Sequence, residues 1–277
     1  MNIQNNEKLK YKRIGCVIDY SSTLAPQAFQ EICAVHPNID FIQITSDNMN
    51  VATNSYDLII TIGGDGTMLK TMHNFLHSNI PIYGINRGSL GFLLNEYKPK
   101  ELLSNLQGAT ASVIHPLMME VKTASGEICT ALAINEVSLI RQTQQSAKVQ
   151  ISINGQVRLD QMIGDGIILA TATGSTAYNF AAHGPIVPLD ANLLLLTPIS
   201  PFRPRRWNGA ILPRKSEVHF LILEAKKRPV SAAADFIEVR DAIEVKISLK
   251  HDIKIKLLFD SRNTYEERIL REQFTYQ

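Results

Sequence analysis

The chain has no long hydrophobic run. Its longest aliphatic block, residues 193–196, is followed closely by Pro198 and is far too short to span a bilayer. The opening residues 1–13 are polar and basic, and they lack the apolar core of a secretory signal. These absences predict a protein that is not secreted and that has no membrane partner.

The chain also has little net charge and few cysteines. Its 28 Lys and Arg against 26 Asp and Glu leave a net charge of +2, which supplies no overall field that would favour nucleic acid. The three cysteines, Cys16, Cys33 and Cys129, are scattered without paired spacing. This pattern is typical of reduced core residues. The sequence therefore predicts a cytoplasmic protein without a nucleic-acid partner.

A third absence concerns nucleotide binding. The sequence contains no Gly-Lys-Ser or Gly-Lys-Thr, with which the Walker phosphate loop ends. If this protein handles phosphate groups, it must use another glycine-rich turn. Its 277 residues are enough for two domains.

A candidate turn follows the apolar run 58–62. This run is rich in β-branched residues, as in a parallel strand buried on both faces, and the glycines of residues 63–66 end it. From Thr67, a candidate helix cap, apolar residues recur at helical spacing. Asp65 is therefore predicted at the carboxyl end of a buried strand, where open α/β sheets bind their ligands.

Asp65 and Lys70 together indicate phosphate chemistry. A lysine in the first turn of a helix opposes the helix dipole unless an anion such as phosphate lies nearby. A carboxylate beside a phosphate requires a metal ion, or a hydroxyl awaiting deprotonation, between them. The alternative is that Gly-Gly-Asp-Gly forms only a tight turn, because short glycine motifs are weak signals.

The first part of the chain alternates apolar runs with helical segments. Strands that alternate with helices predict a parallel, Rossmann-like sheet with right-handed crossovers. A second glycine-rich loop, residues 86–91, follows the last of these strands. Its Arg87 is either a ligand of a phosphate or carboxylate, or a solvated loop arginine. The predicted strands are 14–19, 41–44, 58–62 and 81–85.

The pattern changes near Gly108, where short alternating runs separated by hairpin turns replace the helical signal. Asn154-Gly155 is a strong hairpin signal, because a type I′ turn needs positive φ at both positions. We therefore predict an α/β domain at 1–108 and a mostly antiparallel, β-rich domain at 109–261.

Asn135 and Glu136 interrupt an otherwise apolar strand predicted over 131–140. If they point inward, a buried amide beside a carboxylate needs hydrogen-bond partners, which the hydroxyls of a ligand would provide. The alternative is an edge-strand pair that faces water.

A second unusual stretch covers residues 164–178. It contains Asp165 between two glycines, then an apolar strand, then a hydroxyl-rich glycine turn whose groups can bind phosphate or ribose. Tyr178 at its end either stacks on a base or packs against the protein.

These motifs together resemble the NAD kinase family, and the resemblance covers nearly the whole chain. Gly-Gly-Asp-Gly-Thr alone is shared with diacylglycerol kinase, sphingosine kinase and phosphofructokinase relatives, whereas the other two motifs are more selective. Residues 196–202 also resemble the family's segment after the threonine-rich block. The motifs, in order, are Gly63-Gly64-Asp65-Gly66-Thr67, Asn135-Glu136, and Asp165-Gly166 with Thr173-Gly174-Ser175-Thr176-Ala177-Tyr178.

The resemblance implies transfer of the γ-phosphoryl group of ATP to the 2′-hydroxyl of the adenosine ribose of NAD, giving NADP and ADP. It implies a divalent cation, Mg²⁺ or Mn²⁺. It implies an α/β N-terminal domain and a β-rich C-terminal domain, with the last residues, about 262–277, returning to the first domain. It also implies a homodimer or homotetramer in which Tyr178 reaches the site of a neighbouring subunit.

The resemblance also assigns roles to residues. Asp65 is the catalytic base or orients the hydroxyl, and Asn135 and Glu136 hold adenosine. No residue is assigned as a dedicated metal ligand. The other substrate- and nucleotide-binding positions are Gly66, Lys70, Asp165, Thr173, Thr176, Ala177, Tyr178, Asn179, Phe180, Ala181, Ser200 and Asp235.

Four positions depart from the usual family pattern. Ala172 replaces a common proline, His183 a frequent glycine, and Lys70 a common arginine, while Ile163 stands where some members have arginine. Lys70 keeps the charge but loses the two-pronged geometry with which arginine binds phosphate.

Two questions stay open at the level of sequence. The basic patch of residues 203–207 either contacts phosphates or lies in a solvated or subunit-interface loop. The alternative functions are a lipid or sugar kinase of the same superfamily and a non-enzymatic dinucleotide sensor.

Overall fold

The structure, a computed structural model, describes residues 11–45, 55–88, 91–261 and 265–274. It divides into two compact units. The first contains the described residues up to Ile114 and from Lys254 onward, and the second is His115–Ile253. The chain thus leaves the first unit once and returns to it.

The first unit is built around one six-stranded sheet. Its helices are α1 (Leu24–Val35), α2 (Asp65–Asn74), α3 (Leu102–Gly108) and α5 (Tyr265–Phe274), with a short 3₁₀ helix at Pro99–Glu101. Its strands, numbered along the whole chain, are β1 (Ile14–Ile18), β2 (Phe41–Ile44), β3 (Leu58–Gly63), β4 (Ile82–Asn86), β5 (Thr110–Ile114) and β18 (Ile255–Phe259).

The strands of this sheet lie in the order β2-β1-β3-β4-β18-β5. All neighbours pair in parallel except β18 and β5, which are antiparallel. Every residue of β3 is buried, as the uninterrupted apolar run 58–62 indicated. The predicted Rossmann-like parallel sheet is therefore confirmed, with one antiparallel strand at its edge.

Strand β18 lies inside this sheet, between β4 and β5. The sequence interpretation ended the first domain at residue 108 and assigned both β5 and β18 to the β-rich domain. In the structure the chain crosses after Ile114 and returns at Lys254. Pattern alone misses this because an apolar run shows that a strand exists but not which strands it pairs with. Within the proposed returning tail 262–277, residues 262–264 and 275–277 lie outside the described residues.

Buried side-chain hydrogen bonds join β18 to the rest of its sheet. The Asn95 amide donates to the carbonyl oxygens of Gly84 at 3.1 Å and Leu258 at 3.0 Å. The Tyr83 hydroxyl donates to the Asp260 carboxylate at 2.6 Å. Because buried polar groups are costly unless paired, these bonds favour one position for the returning strand.

The second unit consists of two six-stranded antiparallel sheets. One has the order β10-β9-β14-β17-β6-β7, and the other has the order β13-β12-β11-β8-β15-β16. A 3₁₀ helix at Thr173–Thr176 leads to the short helix α4 (Tyr178–Ala181). The strands are β6 (Leu117–Thr123), β7 (Ile128–Ala133), β8 (Glu136–Arg141), β9 (Ala147–Ile153), β10 (Gln156–Gly164), β11 (Gly166–Ala170), β12 (Leu193–Ile199), β13 (Ala210–Pro213), β14 (Val218–Ile222), β15 (Val230–Ala234), β16 (Ile237–Val239) and β17 (Ala242–Leu249).

Both sheets contribute side chains to one apolar core, in which Val121, Leu139 and Phe220 are fully buried. Alternation of inward and outward residues along each strand produces this core, as expected for antiparallel sheets. The mostly antiparallel, β-rich second domain is therefore confirmed.

Two local predictions in this unit have different outcomes. Asn154 and Gly155 join β9 to β10 with φ of +51° and +76°, so the predicted hairpin is present with positive φ at both positions. The single strand predicted over 131–140 is wrong, because the chain bends between β7 and β8 at residues 134 and 135. No helix within the described ranges is long and apolar enough to cross a membrane.

Candidate active site

One candidate region lies within the first unit, where β3 ends and α2 begins. Asp65 is the first residue of α2 and follows the N-cap Gly64, so it lies at the carboxyl end of a buried strand as predicted. Two details differ from the sequence interpretation. The helix begins at Asp65, so Thr67 is not its cap and Lys70 lies in the second turn, not the first.

The Asp65 carboxylate is held by backbone N–H groups from the segment after β4. Phe92 donates to Oδ2 at 3.0 Å and Leu93 donates to Oδ1 at 3.1 Å. The two bonds fix the orientation of the carboxylate plane, which a base or a metal ligand requires.

The two glycine-rich loops approach each other closely at this edge of the sheet. The N–H of Arg87 donates to the carbonyl of Gly63 at 2.8 Å. A Cβ atom on Gly88 would lie 3.2 Å from the Cα of Gly64, whereas a Cβ on Gly66 would meet no atom of the described residues within 4 Å. Gly66 therefore faces open space, where a ligand can reach the backbone. Residues 89 and 90 of the second loop lie outside the described residues.

Asp19, which sequence reasoning did not select, also belongs to this region. It follows β1, and its N–H donates to the carbonyl of Ile62 at 2.9 Å. Its carboxylate accepts bonds from the Ser21 hydroxyl at 2.6 Å and the Thr67 hydroxyl at 2.9 Å. The bond from Ser21 contributes most to lowering the pKa of Asp19, and the charge of Lys70 contributes less. The only sequence signal was its position at the end of a parallel strand.

Arg87 is engaged within the protein. Its guanidinium lies 4.4 Å from the centre of the Tyr97 ring, and its Nε donates to the carbonyl of Leu24 at 3.4 Å. Arg87 is therefore not a freely solvated arginine, because a cation over an aromatic ring is partly immobilised.

A separate candidate binding region lies within the second unit, at the bend between β7 and β8. Asn135 occupies the bend and Glu136 begins β8. Asn135 Oδ1 and Glu136 Oε2 are buried and have no hydrogen-bond partner within the described part of the chain. Native proteins rarely leave such acceptors unpaired, so a ligand that carries hydrogen-bond donors fits this position. The alternative of an edge pair facing water does not fit these two buried atoms.

Glu136 has an unusual electrostatic environment. Burial raises its pKa to about 8, the nearby Asp235 carboxylate adds to the rise, and a backbone hydrogen bond from Tyr178 opposes it. Burial likewise raises the pKa of Tyr178, with smaller contributions from Glu136 and Asp165. The structure therefore brings four of the predicted positions into one electrostatic neighbourhood.

The threonine-rich block packs against the Asn135 backbone. A Cβ on Gly174 would lie 2.2 Å from the Asn135 carbonyl oxygen, so only glycine fits there. Within the block, Thr173 and Asn179 are buried, whereas Tyr178 and Phe180 are exposed by 36% and 51%. Thr176 and Ala177 are partly buried.

Asn179 is engaged on all sides by the protein. Its amide nitrogen donates to the carbonyls of Ser175 at 3.2 Å and Pro185 at 3.0 Å, and its oxygen accepts from the Thr197 hydroxyl at 2.6 Å. Asn179 therefore holds the turn through three hydrogen bonds of its side-chain amide.

A cavity of about 420 Å³ adjoins this block, and Tyr178, Ala181 and Ser200 line it together with His183 and Trp207. His183 has a φ of +63°, in the left-handed region that favours glycine. This backbone conformation explains why a glycine is compatible with the same position in the resembling family.

Asp165 lies between β10 and β11, and Arg141 holds it. The Arg141 Nε donates to Asp165 Oδ1 at 2.6 Å, and the Arg141 N–H donates to the Asp165 carbonyl at 2.9 Å. The neighbouring Ile163 contributes backbone bonds only, exchanging them with Arg203 at 2.8 and 3.1 Å. The positive charge beside Asp165 therefore comes from Arg141 and not from residue 163, which is an isoleucine.

Comparison with known proteins assigns both units. The model of the ATP-NAD kinase N-terminal domain matches residues 4–112, and that of the ATP-NAD kinase C-terminal domain matches residues 134–236. The chain belongs to the ATP-NAD kinase family. The resemblance drawn from the motifs is therefore confirmed.

Individual relatives within the ATP-NAD kinase family support the same assignment. The chain is 54% identical over 226 residues to the NAD kinase of Caulobacter vibrioides. The matched region covers 82% of this chain and 87% of that protein. It is 50% identical over 218 residues to the NAD kinase of Rickettsia canadensis, with 79% and 86% covered.

Two solved structures of NAD or NADH kinases share the fold. A yeast NADH kinase complexed with NADH superimposes with a TM-score of 0.81 at 23% identity, covering 96% of this chain and 89% of the yeast chain. An NAD kinase from Archaeoglobus fulgidus in complex with ATP gives a TM-score of 0.73 at 22% identity, covering 93% and 98%. At these identities the comparison shows the fold alone.

Proposed function

We propose that this protein transfers the γ-phosphoryl group of ATP to the 2′-hydroxyl of the adenosine ribose of NAD, giving NADP and ADP. The observation that carries the proposal is the Asp65 carboxylate, oriented at the carboxyl end of β3 beside the open face at Gly66. The NAD kinase relatives at 50–54% identity support the choice of substrate.

The transfer forms a bond between the ribose O2′ and Pγ and breaks the bond between Pγ and the bridging oxygen of ADP. The O2′ proton must leave, and Asp65 either accepts it or orients the hydroxyl for attack. Phosphoryl transfer needs little covalent help, so in-line positioning and charge neutralisation supply most of the catalysis. Lys70, in the second turn of the helix that Asp65 begins, provides positive charge for the phosphates.

The second unit supplies the groups that recognise the dinucleotide. Asn135 Oδ1 and Glu136 Oε2 are acceptors that match the hydroxyls and amino group of adenosine. Glu136 is a donor as well when protonated, because its pKa is raised to about 8. Tyr178 is exposed enough to stack on a ring of the substrate, and Asp165, Thr173 and Ser200 belong to the same unit.

A divalent cation, Mg²⁺ or Mn²⁺, is part of this proposal. Within the residues that the structure describes, no three His, Cys, Asp or Glu side chains gather as a metal site. That fits Mg²⁺, which is usually bound through substrate phosphates, waters and one or two carboxylates. Asp65, an oriented oxygen donor, is the residue that would contact it, and the ion would neutralise phosphate charge.

Assembly and location also belong to the proposal. We expect a homodimer or homotetramer, with Tyr178 and Phe180 among the exposed side chains available to a neighbouring subunit. The three free cysteines, of which Cys16 is buried, are consistent with a reducing cytoplasm.

The test is mass-spectrometric detection of product after the purified protein is incubated with NAD, ATP and Mg²⁺. The product must co-elute with 2′-phosphorylated NADP and not with its 3′ isomer. Parallel reactions replace ATP by polyphosphate, Mg²⁺ by Mn²⁺, and NAD by NADH, a sugar or a diacylglycerol. Phosphorylation of a sugar or lipid but not of NAD would replace the proposal by the alternative kinase. NAD binding without any product would leave a dinucleotide sensor.

A further inference from the structure

Asp235 lies in the turn between β15 and β16, about one hundred residues in sequence from the bend at Ile134 and Asn135. Its φ is +51°, and its N–H donates to the Glu136 carbonyl at 3.1 Å. Strand β15 pairs with β8, so the sheet itself brings this turn to the start of β8.

The Asp235 carboxylate gathers three successive backbone N–H groups. Oδ2 accepts from Ile134 at 2.7 Å, and Oδ1 accepts from Asn135 at 3.0 Å and Glu136 at 3.1 Å. The chain bends at Ile134 and Asn135, which belong to neither β7 nor β8. The carboxylate therefore takes the place that a neighbouring strand would have in a regular sheet.

Thr171 holds the same bend through its carbonyl groups. Its hydroxyl donates to the Ile134 carbonyl at 2.7 Å and lies 3.2 Å from the Asn135 carbonyl, while its N–H donates to the Asn135 carbonyl at 2.9 Å. The same hydroxyl accepts from the Gly174 N–H at 3.2 Å. Thr171 is 5% exposed. The bend is thus held on its N–H side by Asp235 and on its carbonyl side by Thr171.

Asp235 and Thr171 hold the bend that carries two buried acceptors, Asn135 Oδ1 and Glu136 Oε2. These atoms recognise a ligand well only if their positions are fixed, because a displacement of about 1 Å can reduce the rate or the affinity on the order of 10²-fold. Neither Asp235 nor Thr171 needs to touch a ligand to have this effect.

We propose that Asp235 and Thr171 are positioning residues, a two-sided clamp that sets Asn135 and Glu136 for the adenosine part of the substrate. This rests on the proposed function for the identity of the substrate. It replaces the expectation that Asp235 binds the nucleotide directly. A carboxylate already bonded to three backbone N–H groups is oriented toward the protein.

The test compares Asp235→Asn and Thr171→Val with matched controls. Asparagine keeps the preference for positive φ but replaces one acceptor oxygen by an NH₂ group that cannot accept an N–H bond. Valine keeps the shape of threonine without the hydroxyl. The controls are Asp241→Asn, in the turn between β16 and β17 with a φ of +55°, and Thr130→Val at an exposed position of β7.

We expect each clamp variant to raise the KM for NAD by about ten- to hundredfold. The kcat value and the KM for ATP should stay within about twofold of wild type, and Thr171→Ser, which restores the hydroxyl, should recover the KM. In the same samples, amide hydrogen exchange at residues 134–136 should accelerate at least tenfold in both clamp variants and in neither control.

The two readouts separate the possible failures. A raised KM with unchanged exchange at residues 134–136 would mean direct substrate contact and would overturn the clamp. Unchanged KM and unchanged exchange would also overturn it. If the wild type forms no NADP, the proposed function fails, and the exchange measurement still decides whether the clamp exists. If Asp235→Asn does not fold, the Thr171→Val and Thr171→Ser pair gives the same decision.

Discussion

At the scale of single residues, Glu136 combines burial with a second carboxylate nearby. In the folded protein it keeps its proton up to a pH of about 8, whereas in the unfolded chain it releases the proton near pH 4.5. Between these values the folded state binds more protons than the unfolded state. The free energy of unfolding therefore falls as pH rises through this window.

Glu136→Gln should remove this pH dependence, because glutamine has the same shape and does not titrate. From pH 5 to pH 8 the wild type should lose up to a few kcal/mol of stability relative to the variant, at about 1.4 kcal/mol per unit of pKa difference. Urea denaturation at the two pH values measures this. The exposed Glu217→Gln is the control and should track the wild type. A constant difference between Glu136→Gln and wild type would contradict the raised pKa.

Sequence reasoning found Asp65, Asn135 and Glu136 because each breaks a strong local pattern, a glycine turn after a buried strand or polar residues within an apolar run. It did not find Asp19 or Thr171. An aspartate after a strand and a threonine near a strand end are common, and only the contacts with Thr67 and Ile134 give them a role.

At the scale of elements, some features follow from local backbone requirements and others from contacts between segments distant in sequence. The Asn154-Gly155 hairpin could be predicted because its φ requirement is local. The start of α2 could not be placed correctly, because Thr67 has the chemistry of a cap but its hydroxyl bonds to Asp19. Contacts between segments distant in sequence decide such details.

Gly174→Ala tests how closely the turn after β11 packs against the bend at Ile134 and Asn135. The added Cβ would lie 2.2, 2.5 and 2.7 Å from backbone atoms of Asn135, none of which can rotate away. We expect a loss of about 1–3 kcal/mol in the free energy of unfolding and a raised KM for NAD. Gly108→Ala, where the nearest atom is the Ser261 hydroxyl at 3.9 Å, should be nearly neutral. Equal stability of the two variants would contradict the close approach.

At the scale of the whole molecule, the first sheet contains a strand, β18, that follows the second unit in sequence. The apolar run of β18 could be predicted from the sequence but its place in the sheet could not, since its pairing partners, β4 and β5, lie about 140 to 175 residues earlier. Both kinds of domain were predictable from periodicity, whereas the crossing points at 114 and 254 required the pairing itself.

A chain that ends at Ile253 tests this arrangement. Without β18 the sheet loses an interior strand, and Tyr83 and Asn95 lose bonds to Asp260 and Leu258. We expect hydrogen exchange to show the first unit unprotected while His115–Ile253, which has its own core, stays protected. A chain that ends at Ser261 keeps β18 and should keep the sheet. Protection of β3 and β4 in the shorter chain would contradict the account.

NADP formation by Asp65→Asn beside the wild type, with NAD affinity measured for both proteins, decides whether Asp65 takes part in the transfer. Asparagine keeps the size of the side chain but cannot take the O2′ proton. We expect NADP from the wild type, a kcat lower by about 10²- to 10⁴-fold or more in the variant, and NAD affinity within a few-fold of the wild type. A variant that turns over NAD at the wild-type rate would contradict the role of Asp65.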